Sequence, residues 1–110
     1  MANEQFLAQL WATIESRKAD AGPEKSYTSE LLANPSRARK KVAEEAHEVN
    51  EAHQALLAGH DSKDHLAHEA ADLIYHLFVV LASADVTPTE VYAVLQGRHL
   101  ARAPRATKSP

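Results

Sequence analysis

Apolar positions along this chain recur at helical spacing, and no run alternates as a strand requires. Phe6, Leu7, Leu10, Trp11 and Ile14 mark a first helix, with Asn3 placed to cap it. It should end near Lys18, because Ala21-Gly22-Pro23 breaks the pattern. Thr28 can cap a short second helix through Ala33, stopped by Asn34-Pro35. Ser36 can cap a third that runs to about Ala58 and halts at Gly59. Asp61 or Ser62 opens a fourth that reaches about Ala84. Thr87-Pro88-Thr89-Glu90 is a capping box with proline at the first helical position, opening a fifth helix that ends near Gly97. The predicted architecture is an all-α antiparallel bundle over residues 1–98, followed by a basic, proline-containing, mobile tail at 99–110.

Composition adjusts this picture. A chain of 110 residues makes one compact domain. Its apolar fraction is 45%, but 21 residues are Ala, which favours helix and buries little surface. The core should therefore be modest, and a domain that gains burial by forming a homodimer or larger assembly is expected. Zero Cys excludes disulfides and thiolate metal sites, and fits a reducing compartment. The longest strongly apolar stretch, Leu73 to Ala82, is interrupted by Tyr75 and His76 and is too short to span a bilayer. The start MANEQF has neither a basic region nor an apolar core, so no signal peptide is expected.

The net charge of −3 conceals an order. From Arg17 to Lys41 there are 7 bases and 3 acids; from Glu44 to Asp72, 8 acids and 1 base; from Gly97 to Pro110, 4 bases and no acid. The acidic excess has a geometry. With Lys41 at zero and about 100° per residue, Glu48 falls at about −20°, Glu45 at about +40° and Glu44 at about −60°. Val42, Ala46, Val49, Leu56 and Leu57 cluster between roughly +60° and +160°. The third helix thus carries a core stripe beside a carboxylate stripe, with Glu45 on the border. On the fourth helix Glu69 and Asp72, three apart, share a side among Leu66, Ala70, Ala71, Leu73, Ile74, Leu77, Val80 and Leu81. Apolar residues around most of its circumference mark a helix buried on several sides. The short Gly59–Ser62 turn makes the two helices antiparallel neighbours. Glu45, Glu48, Glu69 and Asp72 can then converge on an all-oxygen site of the kind preferred by hard cations such as Mg²⁺, with Mn²⁺ as the alternative.

At EExxE followed by ExxD the sequence resembles the all-α nucleotide pyrophosphatase (MazG-like) superfamily. Within it, Arg17-Lys18, Ser26-Tyr27-Thr28, Leu31-Leu32, the run Lys41 to Val49, the run Glu69 to Leu77 and the segment Val91 to Arg98 follow the order of phosphoribosyl-ATP pyrophosphatases. The resemblance covers about residues 4–98. It implies a cytoplasmic enzyme of histidine biosynthesis, a helical homodimer or larger assembly, that uses Mg²⁺ to cleave phosphoribosyl-ATP to phosphoribosyl-AMP and pyrophosphate. Glu45, Glu48, Glu69 and Asp72 match its metal-ligand positions, and Glu44 its remaining acidic position. Ala43 stands where the family usually has Gly, and Asn34-Pro35 where a Gly is common; neither departure touches the ligands.

The chemistry fits these residues. Glu44 or Glu48 can orient or deprotonate the water that attacks the α–β anhydride. Lys41, one turn before Glu45 and on the same face, can pair with it at rest and meet a phosphate in the complex. Arg17, Lys18, Arg37 and Arg98 are candidates for further phosphates; Ser26, Tyr27 and Thr28 can bond phosphate or ribose. His65, Glu69, Asp72 and His76 share one helix face. That spacing suits either a transition-metal site or, the favoured reading, a His76 that hydrogen-bonds a ligand carboxylate. His53 falls within the apolar stripe as a paired core or interface residue. Two other functions use the same residues: a house-cleaning pyrophosphatase acting on free dNTPs, and a non-catalytic helical oligomerisation module with a solvated acidic face. Four scattered bases without interleaved aromatics argue against nucleic-acid binding by the tail.

Overall fold

The computed structural model describes residues 2–19 and 26–102. The breaker at 21–23 and the tail from 103 onward lie outside the described residues. Five α-helices are present: α1 (Ala2–Ser16), α2 (Tyr27–Leu32), α3 (Pro35–Leu57), α4 (Lys63–Ser83) and α5 (Pro88–Arg102), with a 3₁₀ turn at Arg17–Ala19. No strand occurs among the described residues.

The expected helix starts shift at three places. α1 begins at Ala2, so Asn3 stands inside its first turn rather than ahead of it. Ser26, not Thr28, caps α2: its hydroxyl accepts from Ser29 N at 3.1 Å. Asn34, not Ser36, caps α3: its side-chain oxygen accepts from Arg37 N at 3.2 Å, and Pro35 takes the first helical position. Proline suits that position because its φ is already helical and its missing N–H has no partner to lose. Asn34-Pro35 therefore begins α3 as well as ending α2. Ser62 caps α4, and the Thr87–Glu90 capping box forms as expected, Thr87 N donating to Glu90 Oε2 at 2.8 Å. α5 continues to Arg102, past the expected stop at Gly97. One interior glycine costs about 1 kcal/mol relative to alanine, too little to end a helix that His99-Leu100-Ala101 can prolong.

Two helix ends turn the chain back sharply. After α3, His60 N donates to Ala55 O at 2.8 Å and Gly59 N to Leu56 O at 3.0 Å, with Gly59 at φ 82°. After α4 the same pair of bonds recurs, Val86 N to Leu81 O at 3.0 Å and Asp85 N to Ala82 O at 3.1 Å, but the left-handed residue is Asp85, at φ 59°. Both are Schellman closures, which satisfy helix-terminal carbonyls and normally call for glycine.

The apolar core gathers at one end of the bundle, where Ile14, Leu31, Ala38, Phe78, Val79 and Ala82 are buried together. Trp11 meets the edge of Phe78 at a centroid distance of 5.9 Å, an arrangement that suits the ring quadrupoles. Along α3 the buried residues are Ala38, Glu45 and Ala52, each seven apart. This line lies at the margin of the expected stripe. Val42, Ala46, Val49 and Leu56 are only half-buried, and Leu57 is 75% exposed. Small alanines on either side of Glu45 allow close approach to α4, the helix with which α3 packs most extensively. α4 is likewise not buried all round in the single chain: His76, Phe78, Val79 and Ala82 are buried, while Ile74 and Leu77 face solvent. By length and composition α4 could cross a membrane, which the Leu73–Ala82 stretch alone did not suggest; its Phe78, Val79 and Ala82 here belong to the core.

Candidate metal centre

Glu45 is the only acidic residue among the described residues with a buried side chain, at 6% exposure. It faces α4 because it shares a helical line with Ala38 and Ala52. Glu48, one turn on, and Glu69, from the first half of α4, complete a trio: one carboxylate oxygen from each lies within 4.8 Å of the others. Like charges at this spacing raise one another's proton affinity. The Glu45 carboxyl is held above its ordinary range first by burial and then by the Glu48 charge. Glu69 is also raised, first by its side-chain contact with Glu48 and then by burial. Asp72 stands outside the trio, close enough for its charge to raise Glu45 as well.

Glu45 Oε1 and Glu69 Oε1 are buried and have no hydrogen-bond partner. Buried carboxylate oxygens without partners are costly, and two of them in one cluster of like charge fit a cation that binds through oxygen.

The surroundings are ordered on both sides. Lys41 Nζ lies 3.2 Å from Glu44 Oε1 and 3.8 Å from Glu45 Oε2, so its closer partner is Glu44 rather than the expected Glu45. At the other edge His65 joins two acids: Nδ1 hydrogen-bonds Asp61 Oδ2 at 2.6 Å and Nε2 hydrogen-bonds Glu69 Oε2 at 3.1 Å. The Asp61 bond is the main cause that raises the His65 pKa, and the His65 bond the main cause that lowers that of Asp61.

His76 departs from its expected role. Its Nδ1 bonds the main-chain carbonyl of Asp72 at 2.8 Å, not a carboxylate, and its Nε2 bonds Tyr27 Oη at 3.0 Å. The helix carries the ring toward α2, so His65 and His76 do not converge on one ion. Tyr27 stacks on Tyr75, with centroids 6.4 Å apart, and the Arg37 guanidinium lies 5.5 Å over the Tyr27 ring. Thr28 Oγ1 hydrogen-bonds Tyr75 Oη. Tyr27, Arg37 and His76 thus form one connected polar group between α2, α3 and α4, with Thr28 joined to it through Tyr75. Ser26 serves α2 as its cap.

The remaining candidates lie elsewhere. Lys18 Nζ bonds Asp85 Oδ1 at 2.7 Å and Glu15 Oε1 at 3.1 Å, which fixes it at the α4–α5 turn rather than at Glu45, Glu48 and Glu69. Arg17 belongs to the adjoining 3₁₀ turn, and Arg98 is exposed on α5. His53 is exposed rather than within a core.

Residues 7–99 match the phosphoribosyl-ATP pyrophosphohydrolase family profile. The chain belongs to the phosphoribosyl-ATP pyrophosphohydrolase family. It is 45% identical over 93 residues to a phosphoribosyl-ATP pyrophosphatase of Cereibacter sphaeroides, covering 84% of each chain. A phosphoribosyl-ATP pyrophosphatase of Jannaschia sp. is 42% identical over 94 residues, 84% of this chain and 86% of the relative. A histidine biosynthesis bifunctional protein of Gloeobacter violaceus is 44% identical over 93 residues, which are 84% of this chain and 39% of that longer protein. For this family member, sequence reading missed the link from Asp61 through His65 to Glu69. Its signal was present: the three residues are spaced at i, i+4 and i+8, one helix face.

Proposed function

We propose that this chain hydrolyses phosphoribosyl-ATP to phosphoribosyl-AMP and pyrophosphate, in the cytoplasm, with Mg²⁺ held by Glu45, Glu48, Glu69 and Asp72. The observation that carries the reading is the convergence of Glu45, Glu48 and Glu69 within 4.8 Å, with two buried oxygens left unpartnered. When bound, Mg²⁺ supplies positive charge that offsets the acidic pocket and draws in the phosphate oxygens of the substrate. Water adds to one phosphorus of the α–β anhydride, the bond from that phosphorus to the bridging oxygen breaks, and phosphoribosyl-AMP and pyrophosphate separate. Glu44, outside the trio and exposed, takes the proton of that water, while Glu48 serves as a ligand. Lys41, already 3.2 Å from Glu44, is placed to meet a phosphate oxygen. Arg37 and Tyr27 offer a cation and a ring face for the rest of the substrate.

The enzyme works as a homodimer or larger assembly in this reading. Ile74, Leu77, Val94 and Leu95 are exposed on the outer faces of α4 and α5, and their burial in a partner would enlarge a small core. Sedimentation gives the assembly size; a monomer at micromolar concentration overturns this part.

Pyrophosphate release from phosphoribosyl-ATP, with and without Mg²⁺ and against dNTPs as competing substrates, tests the activity. Preference for dNTPs overturns the substrate. Full activity in Glu45→Gln and Asp72→Asn overturns the metal site.

A further inference from the structure

The three-residue line Asp61, His65, Glu69 runs from the α3–α4 turn into the first two turns of α4 and ends on the candidate metal centre. His65 is fixed at three points. Its main-chain N–H is taken by the Ser62 cap at 3.0 Å, Nδ1 is held by Asp61 at 2.6 Å, and Nε2 reaches Glu69 Oε2 at 3.1 Å. Asp61 is itself fixed, since its other oxygen accepts from Ser62 N at 2.7 Å. Each ring nitrogen is thus taken up by one carboxyl group, Nδ1 by Asp61 and Nε2 by Glu69. One oxygen of Glu69 is thereby occupied, and the other, Oε1, is the buried atom without a partner.

We infer that His65 is a positioning residue for the metal centre: by holding Glu69 Oε2 it fixes the carboxylate so that Oε1 is presented to a divalent cation as a single ligand atom. The inference deepens the proposed metal site and rests on it. A glutamate has three rotatable bonds before its carboxylate, and a ligand free to turn spends part of its binding free energy on being ordered. Groups that orient a metal ligand from outside the coordination shell typically contribute 10–100-fold to metal affinity. The device is also local. Asp61, Ser62, His65 and Glu69 lie in succession within the α3–α4 turn and the helix it starts, so the Glu69 side chain is held by the same residues that begin α4.

Mn²⁺ binding to the full chain without substrate, followed by electron paramagnetic resonance, tests the proposal. Three variants are compared with the unaltered protein: His65→Ala, His65→Gln and Asp61→Ala. Both His65 variants remove the imidazole, so the ratio of their affinities isolates the hydrogen bond to Glu69. The glutamine amide N–H still reaches Glu69 across one helical turn. His65→Ala is expected to bind Mn²⁺ about tenfold more weakly than His65→Gln, and Asp61→Ala to bind more weakly than the unaltered chain. Equal affinities for His65→Ala and His65→Gln overturn the proposal while leaving the metal site standing. An unaltered chain that binds no Mn²⁺ overturns the metal reading and this inference together.

Discussion

Tyr27 Oη lies 3.0 Å from His76 Nε2, joining the first residue of α2 to a buried ring on α4. The other ring nitrogen faces the Asp72 carbonyl, which only accepts, so Nδ1 carries a proton and in the neutral ring Nε2 accepts from Tyr27. Removing the hydroxyl leaves a buried acceptor without a partner. Tyr27→Phe is expected to destabilise the chain by about 1–2 kcal/mol, measured by urea unfolding. The phenyl face under Arg37 survives this change, so an unchanged midpoint would show that the hydrogen bond contributes nothing.

The raised pKa of Glu45 has a definite sign for stability. Burial and the Glu48 charge hold its folded pKa above the ordinary value of 4.5, so the folded chain binds the proton more tightly than the unfolded one. The resulting stabilisation is full below the unfolded pKa and is lost as pH rises through the folded pKa. The Glu45 contribution to the stability of metal-free protein should therefore fall as pH rises above about 4.5. Glu45→Gln cannot ionise, and without metal it should be more stable than the unaltered chain at alkaline pH, with the advantage disappearing in acid. Thermal unfolding across pH in chelator checks this; a glutamine variant that is less stable at high pH contradicts it. Saturating Mg²⁺ should abolish or reverse the advantage.

Glu44 and Glu48 occupy neighbouring turns of one helix face but different surroundings, and their variants should fail differently. Glu48→Gln is expected to raise the Mg²⁺ concentration for half-maximal rate by at least about tenfold. Glu44→Gln is expected to lower kcat by about 100-fold at saturating Mg²⁺ with little change in the metal requirement. Steady-state rates over a Mg²⁺ series separate the two. A Glu44→Gln enzyme with unaltered kcat removes Glu44 from the proton-accepting role.

Asp85 closes α4 at φ 59°, a left-handed conformation that glycine adopts freely and alanine does not. Asp85→Gly should be more stable than Asp85→Ala by about 1 kcal/mol. Both variants lose the Lys18 contact, so the comparison reports the backbone alone. Equal denaturation midpoints would mean that the turn relaxes when the side chain is cut back.

Much of the helical plan could be read from residue order because its causes are local. A glycine after α3, a serine before α4 and a Thr-Pro-Thr-Glu run before α5 act through bonds spanning only a few residues, and each boundary falls where those bonds form. The misplaced starts of α2 and α3 are failures of choice among equivalent local signals. Ser26 and Thr28 can each cap, as can Asn34 and Ser36. For α3 the neighbouring proline selects between them: it fits only the first turn, which favours Asn34. The convergence of Glu45, Glu48 and Glu69 was legible for a related reason. Their spacing along α3 and α4 dictates their faces, and the short turn dictates that the helices meet.

Residue order left open how each helix rotates about its axis and which distant side chains meet. The hydrophobic periodicity of α3 points its centre toward Val42, Val49 and Leu56, yet the helix turns the line Ala38, Glu45, Ala52 against its neighbours. Close approach of two helix backbones is favoured by small side chains, and an apolar stripe does not encode that preference. The same holds for Lys18, whose basic charge suggested a phosphate and whose partners, Glu15 and Asp85, include a residue at the far end of α4. It holds for His76 as well: its spacing from Asp72 pointed to a carboxylate, and the packing of α2 gave it Tyr27 instead. Helix identity and facing come from interactions within a turn or two of chain. Rotation, partner choice and the burial that raises the proton affinity of Glu45 come from packing between segments far apart in sequence, where shape and solvent exclusion outweigh local preference.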